Sequence, residues 1–447
     1  MDVANPVIRP EHFNSMMHDG LPVQAKPVTP RELRAFGLVA QNHMKMADSM
    51  EELRRGVPNI IIAQCKLDVK FIQNKFRVQS FKRKSQYVMS LGVYNQLKYD
   101  PYRHKTVLVP GTMKFKNIFK AYRGQNLDGK TLLVWRTGGI GDLLFIQPNL
   151  RYLKETYPDC HIKFSCGPQY SSLVDNWDCI DELLDLPFHV SHLLHSDYHV
   201  TFEGVIERCK EAHTNNAYVL FSKWLGLDLP TNLLYPIIEP KPKKVKEVEG
   251  ILKQWGTSPK NFIVLQIRAS SPVRTPSPFF WKRIIDQLNT LGYTTVITDS
   301  PHRAPYVEEF IKTLSHPRSC MNFSVFSKSL DLTIALVSLA KMAISIDSAI
   351  SHISAGLNIP YYGIYGPFPG EIRLSTYKNS KWINAPSPCA PCFLHGHRPC
   401  PHANPDGSSS CYDKINIDAL LQDAISMLGS HENRRNVNDK DYGNNTK

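Results

Sequence analysis

The chain reads as an α/β protein, two Rossmann-like lobes with an additional N-terminal region. Three observations predict this. From Thr131 onward, short β-prone apolar runs alternate with helical runs, the pattern of βα units that builds a parallel sheet. A Pro- and Lys-rich stretch, 236–246 (PIIEPKPKKVK), interrupts the alternation, which then resumes, so a linker joins two series with a cleft between them. Residues 1–130 differ in character, loop-rich at first and then strongly basic.

Taken in order, 31–54 is predicted as a helix, followed by the basic segment 64–130. The first lobe, 131–238, starts with the strand 131–136, whose Leu132-Leu133-Val134-Trp135 run is apolar and β-prone. A helix over 143–156 follows, its end marked by Pro158. Strand 161–165, helix 169–176, short strands near 181–186 and 196–205, and helix 215–226 complete the lobe. The second lobe, 239–429, opens with helix 244–255 and runs through strand 261–267, helix 279–290 and strand 293–298. Helix 331–342, strand 343–346, helix 348–357 and strand 361–364 come next, then a Cys-rich loop (386–412) and helix 416–428. The polar tail 430–447 is predicted disordered.

Composition narrows the class. With 42% hydrophobic and 21% charged residues in 447, the chain is globular, with room for two or three domains. The N-terminal residues lack an apolar signal-peptide core and no run is long enough to span a bilayer, which predicts a cytoplasmic protein. The net charge of +13 is concentrated: residues 64–130 carry fifteen basic side chains against three aspartates. Phe71, Phe76, Phe81, Tyr87, Tyr94, Tyr99 and Tyr102 interleave with Lys70, Lys75, Arg77 and Lys82-Arg83-Lys84. Such a surface suits an anionic partner: nucleic acid, an anionic glycolipid or a membrane face; the alternative is a solvated basic face.

The chemistry-bearing motifs lie in the two lobes. Thr137-Gly138-Gly139-Ile140-Gly141-Asp142 turns the first strand into its helix with a carboxylate at the turn. It lacks the G-x-G-x-x-G spacing, and an acid at a helix start repels a pyrophosphate. Asp142 therefore reads as a base facing an acceptor, or as a residue that merely caps its helix. In the second lobe, Ile344-Ser345-Ile346-Asp347-Ser348-Ala349 runs from a buried strand into a helix start. The Ser348 and Ala349 backbone N–H groups and the Ser348 hydroxyl there would offer donors to an anion. His352 lies one turn further, either facing the same cleft or structural. Arg268 and Arg274 follow strand 261–267 at the C-terminal edge of the sheet, placed to hold a diphosphate or serving as ordinary surface arginines. Cys389, Cys392, Cys400 and Cys411, spaced C-x₂-C-x₇-C-x₁₀-C, read as a structural zinc or iron site or as free thiols in a loop.

As a set, these motifs resemble the ADP-heptose:lipopolysaccharide heptosyltransferase family. The resemblance rests on the strand-GGIGD-helix paired with I-x-x-D-S-x-x-x-H-x-x-A-x-x-x-x-P (Ile344 to Pro360) and the following Tyr365-Gly366-Pro367. Pro148, Leu150, Pro158 and Phe280-Trp281 add to it, and it spans about 131–428. It implies the two-lobed GT-B fold and inverting, metal-independent transfer from a nucleotide-sugar donor. It further implies that Asp142, next to Gly141, is the general base, that Arg268 and Arg274 lie at the phosphate, that Asp347 touches the donor sugar, and that Ser348 and Ala349 contact the diphosphate. Ala349 stands where many members have Gly. A related loop in autotransporter heptosyltransferases holds iron, which implies a structural metal here. The acceptor expected from the basic segment is an anionic glycan or glycolipid, with possible contact at the inner membrane face. A modified nucleic acid or protein acceptor, or a non-catalytic nucleic-acid-binding role on a degenerate core, are the alternatives.

Overall fold

The computed structural model describes residues 7–8, 29–35, 46–55, 61–74, 77–100, 105–111, 120–394 and 399–428. The chain divides into two compact units between Leu234 and Tyr235.

In the first unit, four parallel strands form one sheet. Thr131–Arg136 sits inside, flanked by His161–Cys166 and Tyr198–Thr201, with Glu182–Asp185 outside His161–Cys166. Numbered along the chain, the order is 3-2-1-4, so the direction of winding reverses between the first and fourth strands. In open α/β sheets the crevice for ligands lies at the carboxyl ends of such a pair. Leu132 to Trp135 are wholly buried, as a near-continuous apolar strand covered on both faces should be.

A second, antiparallel sheet belongs to the same unit. Its order is Phe188–His189, Gln86–Met89, Ile61–Cys65 and Leu108–Pro110. Ile62 and Val88 from it share a core with Leu133, Trp135, Leu186 and Phe188. The described part of the region before residue 120 thus packs on the first strand of the parallel sheet. Phe81, Tyr87 and Tyr94 are buried in this region, so these three aromatics build core rather than an exposed aromatic surface. Lys82, Arg83 and Lys84 are exposed, while Phe76 and Tyr102 lie outside the described residues. The expected helix over 31–54 is broken: Pro30–Ala35 and Met50–Arg55 are helical, but Ala47 bridges to Cys209 and residues 36–45 lie outside the described residues. An Ala-Asp-Ser turn whose Ser49 hydroxyl accepts from the Glu52 N–H caps the second piece, a local alternative that outcompetes continuation.

The second unit holds a six-stranded parallel sheet with Phe262–Gln266 and Met342–Ile346 at its centre. Thr294–Ile297 and Cys320–Asn322 extend it on one side, Tyr361–Tyr365 and Ser380–Asn384 on the other. In chain order this is 3-2-1-4-5-6, the doubly wound Rossmann order, with its switch point between the two central strands. Pro242–Trp255 starts with Pro at its first turn and stops at Gly256, whose φ of 96° only glycine adopts without strain. Ala304–Lys312, Cys320–Asn322 and Ser380–Asn384 were not anticipated; they are short or interrupted by polar residues, which hides their period. The expected disordered tail lies outside the described residues. Among the described residues no helix is long and apolar enough to cross a membrane.

Candidate active site

Each unit gathers charged side chains at its own switch point. In the first, Arg136 ends the strand Thr131–Arg136, and the loop after the neighbouring strand Tyr198–Thr201 carries Glu203 and Glu207. Arg136 is buried, and its guanidinium is saturated. Nε donates to the Gly138 carbonyl at 3.4 Å, Nη1 to the Phe202 carbonyl at 2.5 Å and to Glu207 Oε2 at 3.4 Å, and Nη2 to Asp142 Oδ2 at 2.8 Å and Glu207 Oε1 at 2.5 Å. Burial alone would disfavour the charged guanidinium, but Asp142, Glu207 and Glu203 outweigh it and raise its pKa well above the ordinary value. Glu203 accepts from the Thr137 backbone N–H, fixing the start of the glycine turn.

Asp142 lies in the first turn of the helix Ile140–Thr156, with Gly141 beside it. The helix is opened by Gly139 without a side-chain cap, so Asp142 is not its N-cap. Gly139 has φ 91°, and a Cβ there would stand 2.3 Å from Asp142 Oδ2. The turn therefore requires glycine both for its backbone and to make room for the carboxylate. The Tyr170 ring closes over Gly138, where a Cβ would come within 2.1 Å of it. Its hydroxyl meets the Gly139 backbone N–H, and burial raises its pKa. The Asp142 side chain remains 23% exposed, open to solvent on one side. Arg136, Glu207 and Tyr170 escaped the sequence reading. The single usable signal was Arg136 preceding the glycine turn; Glu207 and Tyr170 come from loops brought in only by the sheet order.

In the second unit, the loop after Phe262–Gln266 meets the loop after Met342–Ile346. Arg274 Nη1 donates to the Asp347 carbonyl at 2.9 Å and to its Oδ2 at 3.3 Å, while Nη2 donates to Ser270 Oγ at 3.2 Å. Arg373 Nε lies 3.7 Å from Asp347 Oδ1, with its guanidinium stacked 4.5 Å from the Phe368 ring. Two arginines thus converge on one buried carboxylate and leave a net positive charge. Nε of Arg274 is buried without an acceptor, the kind of donor a phosphate oxygen would satisfy. Arg373 was missed by sequence reasoning; it follows the strand Tyr361–Tyr365 with no motif to mark it.

Ser348 starts the helix Ala349–Gly356 with no side-chain cap, and its hydroxyl pairs with Ser345 Oγ at 3.1 Å. Ser348 and Ala349 are both half-buried, at the positive end of that helix. His352 is brought near Asp347 but lies buried beneath it, its Nδ1 2.6 Å from Tyr377 Oη. Burial pushes its pKa down to about 4, against the opposing pull of Asp347, so it is neutral at pH 7. That arrangement suits a support for Asp347 better than a ligand-contacting group. Arg268 is not joined to Arg274; its guanidinium stacks 4.5 Å from the Tyr306 ring.

The Cys loop packs against this site. Cys411 is buried against Gly366, where a Cβ would stand 3.0 Å from Sγ. Burial first, then the proximity of Cys389, Cys400 and Cys392, pushes its thiol up to about 12. Among the described residues no group of three or more His, Cys, Asp or Glu is arranged to hold a metal ion. His395 and His397 lie outside the described residues.

Residues 205–401 match glycosyltransferase family 9 (heptosyltransferase). The matched range includes Arg268, Arg274, Asp347 and His352 and leaves out Asp142 and Cys411. No curated protein matches the chain by sequence. Among solved structures, the glycosyltransferase family 9 protein of Veillonella parvula DSM 2008 is similar, with TM-score 0.53 and 15% identity over 68% of this chain and 99% of that one. ADP-heptose LPS heptosyltransferase II of E. coli is similar at TM-score 0.54 and 16% identity, over 68% and 99%. The chain resembles the family 9 heptosyltransferases in sequence over 205–401 and shares their two-lobed α/β fold.

Proposed function

We propose that this chain is an inverting glycosyltransferase that moves a sugar, heptose or a related one, from a nucleotide-diphosphate donor to a hydroxyl acceptor. The observation that carries the reading is the complementary chemistry of the two switch points. One presents a partly exposed carboxylate held by a buried arginine; the other presents two arginines at the start of a helix. A carboxylate suits the acceptor, and a positive helix start suits the diphosphate.

In this reading Asp142 takes the proton of the acceptor hydroxyl as its oxygen attacks the anomeric carbon from the face opposite the diphosphate. The bond from that carbon to the diphosphate oxygen breaks, and the nucleoside diphosphate leaves with the electron pair. Arg274 and the backbone N–H groups of Ser348 and Ala349 offset the charge that develops there, a role that needs no catalytic metal. Asp347, oriented by Arg274 and Arg373, accepts from a donor-sugar hydroxyl. Exposed Lys66, Lys82, Arg83 and Lys84 support an anionic glycan or glycolipid as acceptor, met at the inner membrane face by a cytoplasmic protein. The four cysteines would hold a structural zinc or iron, outside the chemistry.

The test is a thermal-shift screen of ADP-, GDP- and UDP-linked sugars, followed by transfer assays with the donor that stabilises. Stabilisation by one nucleotide sugar, with transfer lost in Asp142→Ala, is the expected result. A chain that no nucleotide sugar stabilises is not a transferase of this kind.

A further inference from the structure

The ion-pair geometry at the first switch point carries a function for a residue so far described only as a neighbour. Arg136 has five N–H donors, and all five are directed at acceptors: two carbonyls, one oxygen of Asp142 and both oxygens of Glu207. Glu207 takes the guanidinium along its forked edge, whereas Asp142 takes it end-on through Oδ2 alone. One buried positive charge is therefore divided between two carboxylates.

That division bears on how good a base Asp142 is. A carboxylate with sole possession of a buried guanidinium is strongly stabilised as an anion and is a poor proton acceptor. A second carboxylate on the same nitrogen takes part of that stabilisation and adds repulsion of its own. Other titratable groups close by include the Tyr170 phenol, which feels the Asp142 charge, and Glu203, which acts on Arg136 from the same loop as Glu207. Neither shares Nη2. The Glu207 side chain is half exposed, so it is not needed to fill core.

We infer that Glu207 is a positioning residue that tunes Asp142 through Arg136, keeping the carboxylate fixed by an arginine yet basic enough to accept a proton. The inference rests on the reading of Asp142 as general base. It predicts that Glu207→Gln, which keeps the shape and removes the charge, lowers the pKa of Asp142 by about one unit. Glu203→Gln, whose side chain bonds the Thr137 N–H and reaches Arg136 only through its charge, lowers it less.

The test needs no substrate. Protein labelled with ¹³C at the aspartate carboxyl carbon is titrated by NMR, and the Asp142 signal is identified by its loss in Asp142→Asn. A lower midpoint in Glu207→Gln, larger than in Glu203→Gln, is the expected result; an unmoved or raised midpoint in the folded variant overturns the inference. The wild-type protein gives a second check, because coupled carboxylates titrate together: with glutamate labelled as well, the Asp142 and Glu207 curves should each inflect at the other's midpoint. Two independent simple curves would also overturn it. If instead the coupling is found but Asp142→Asn transfers sugar as fast as wild type, the base assignment fails and the ion-pair coupling stands.

Discussion

A single nitrogen of Arg274, Nη1, donates to both the carbonyl and the carboxylate of Asp347, joining the loops that follow the two central strands of the second sheet. The contact lies at the switch point, where Asp347 directly follows its strand and Arg274 comes from the short Pro272–Arg274 turn beyond the neighbouring one. Asp347 occupies one edge of the guanidinium and leaves Nε, buried and without an acceptor, for a ligand. Arg274→Ala should therefore weaken a nucleoside diphosphate by about 10- to 100-fold, the loss of one or two charge-assisted hydrogen bonds. Nucleoside affinity should barely change. Calorimetry with both ligands checks this; an equal loss for both would remove Arg274 from the phosphate.

Asp142→Asn should lower the transfer rate by roughly 10²–10⁴, the usual contribution of a positioned general base. Donor affinity should stay within a few-fold, because no donor group is assigned to this unit. The substitution keeps the shape that Gly139 accommodates and keeps an acceptor for Arg136, so the fold should persist. Loss of folding or of donor binding in Asp142→Asn would mark the residue as structural.

Much of this is legible in the sequence, and the reason is local. Thr131–Arg136 ran as anticipated because five consecutive buried residues follow Thr131 and a glycine turn ends them. Asp347 was visible because a buried apolar strand ends at an acid followed by small residues. What joins side chains from distant segments was not legible. Glu207 meets Arg136 only because strand order 3-2-1-4 places Tyr198–Thr201 beside Thr131–Arg136. Arg373 meets Asp347 for the same reason on the other sheet. The spacing of His352 leaves both a cleft-facing and a structural place open, and its partner, the Tyr377 hydroxyl, lies too far along the chain for the sequence to show.

His352 makes the stability of the second unit depend on pH. An unfolded imidazole titrates near 6.5, while burial holds His352 down to about 4 in the folded chain. Above pH 6.5 both states are neutral and the site costs nothing. As the pH falls below 6.5 the unfolded chain gains a proton that the folded chain refuses, so stability is lost through pH 4 by up to about 3 kcal/mol. Urea unfolding of wild type and His352→Gln from pH 7 to pH 4 should converge, the variant losing less. Parallel curves would mean that His352 is not buried neutral.

Trp135 links the N-terminal sheet to the parallel sheet. Its ring is fully buried, edge-on to Phe188 with centroids 5.7 Å apart and stacked on His199 at 5.9 Å. Trp135→Ala should cost about 3–5 kcal/mol, as other large-to-small core changes do. Since Ile62 and Val88 share that core, protection of the 61–65 and 86–89 amides from hydrogen exchange should fall with it. Unchanged protection there would show that the N-terminal sheet is held independently of Trp135.

The cysteine loop is tied to the Arg274 loop by more than proximity. Ser409 donates its backbone N–H to the Thr275 carbonyl at 2.9 Å and its hydroxyl to the Val273 carbonyl at 2.7 Å, bracketing Arg274 on both sides. Any ion that gathers Cys389, Cys392, Cys400 and Cys411 would therefore stiffen the loop that aims the guanidinium. Metal analysis should find about one zinc or iron per chain, lost in the Cys389→Ser, Cys392→Ser double variant. The same variant should bind nucleoside diphosphate several-fold more weakly while nucleoside affinity holds, because only the aim of Arg274 is loosened. A wild-type chain purified without metal would remove the metal site. Metal loss without a change in diphosphate affinity would leave the metal site and sever its link to Arg274.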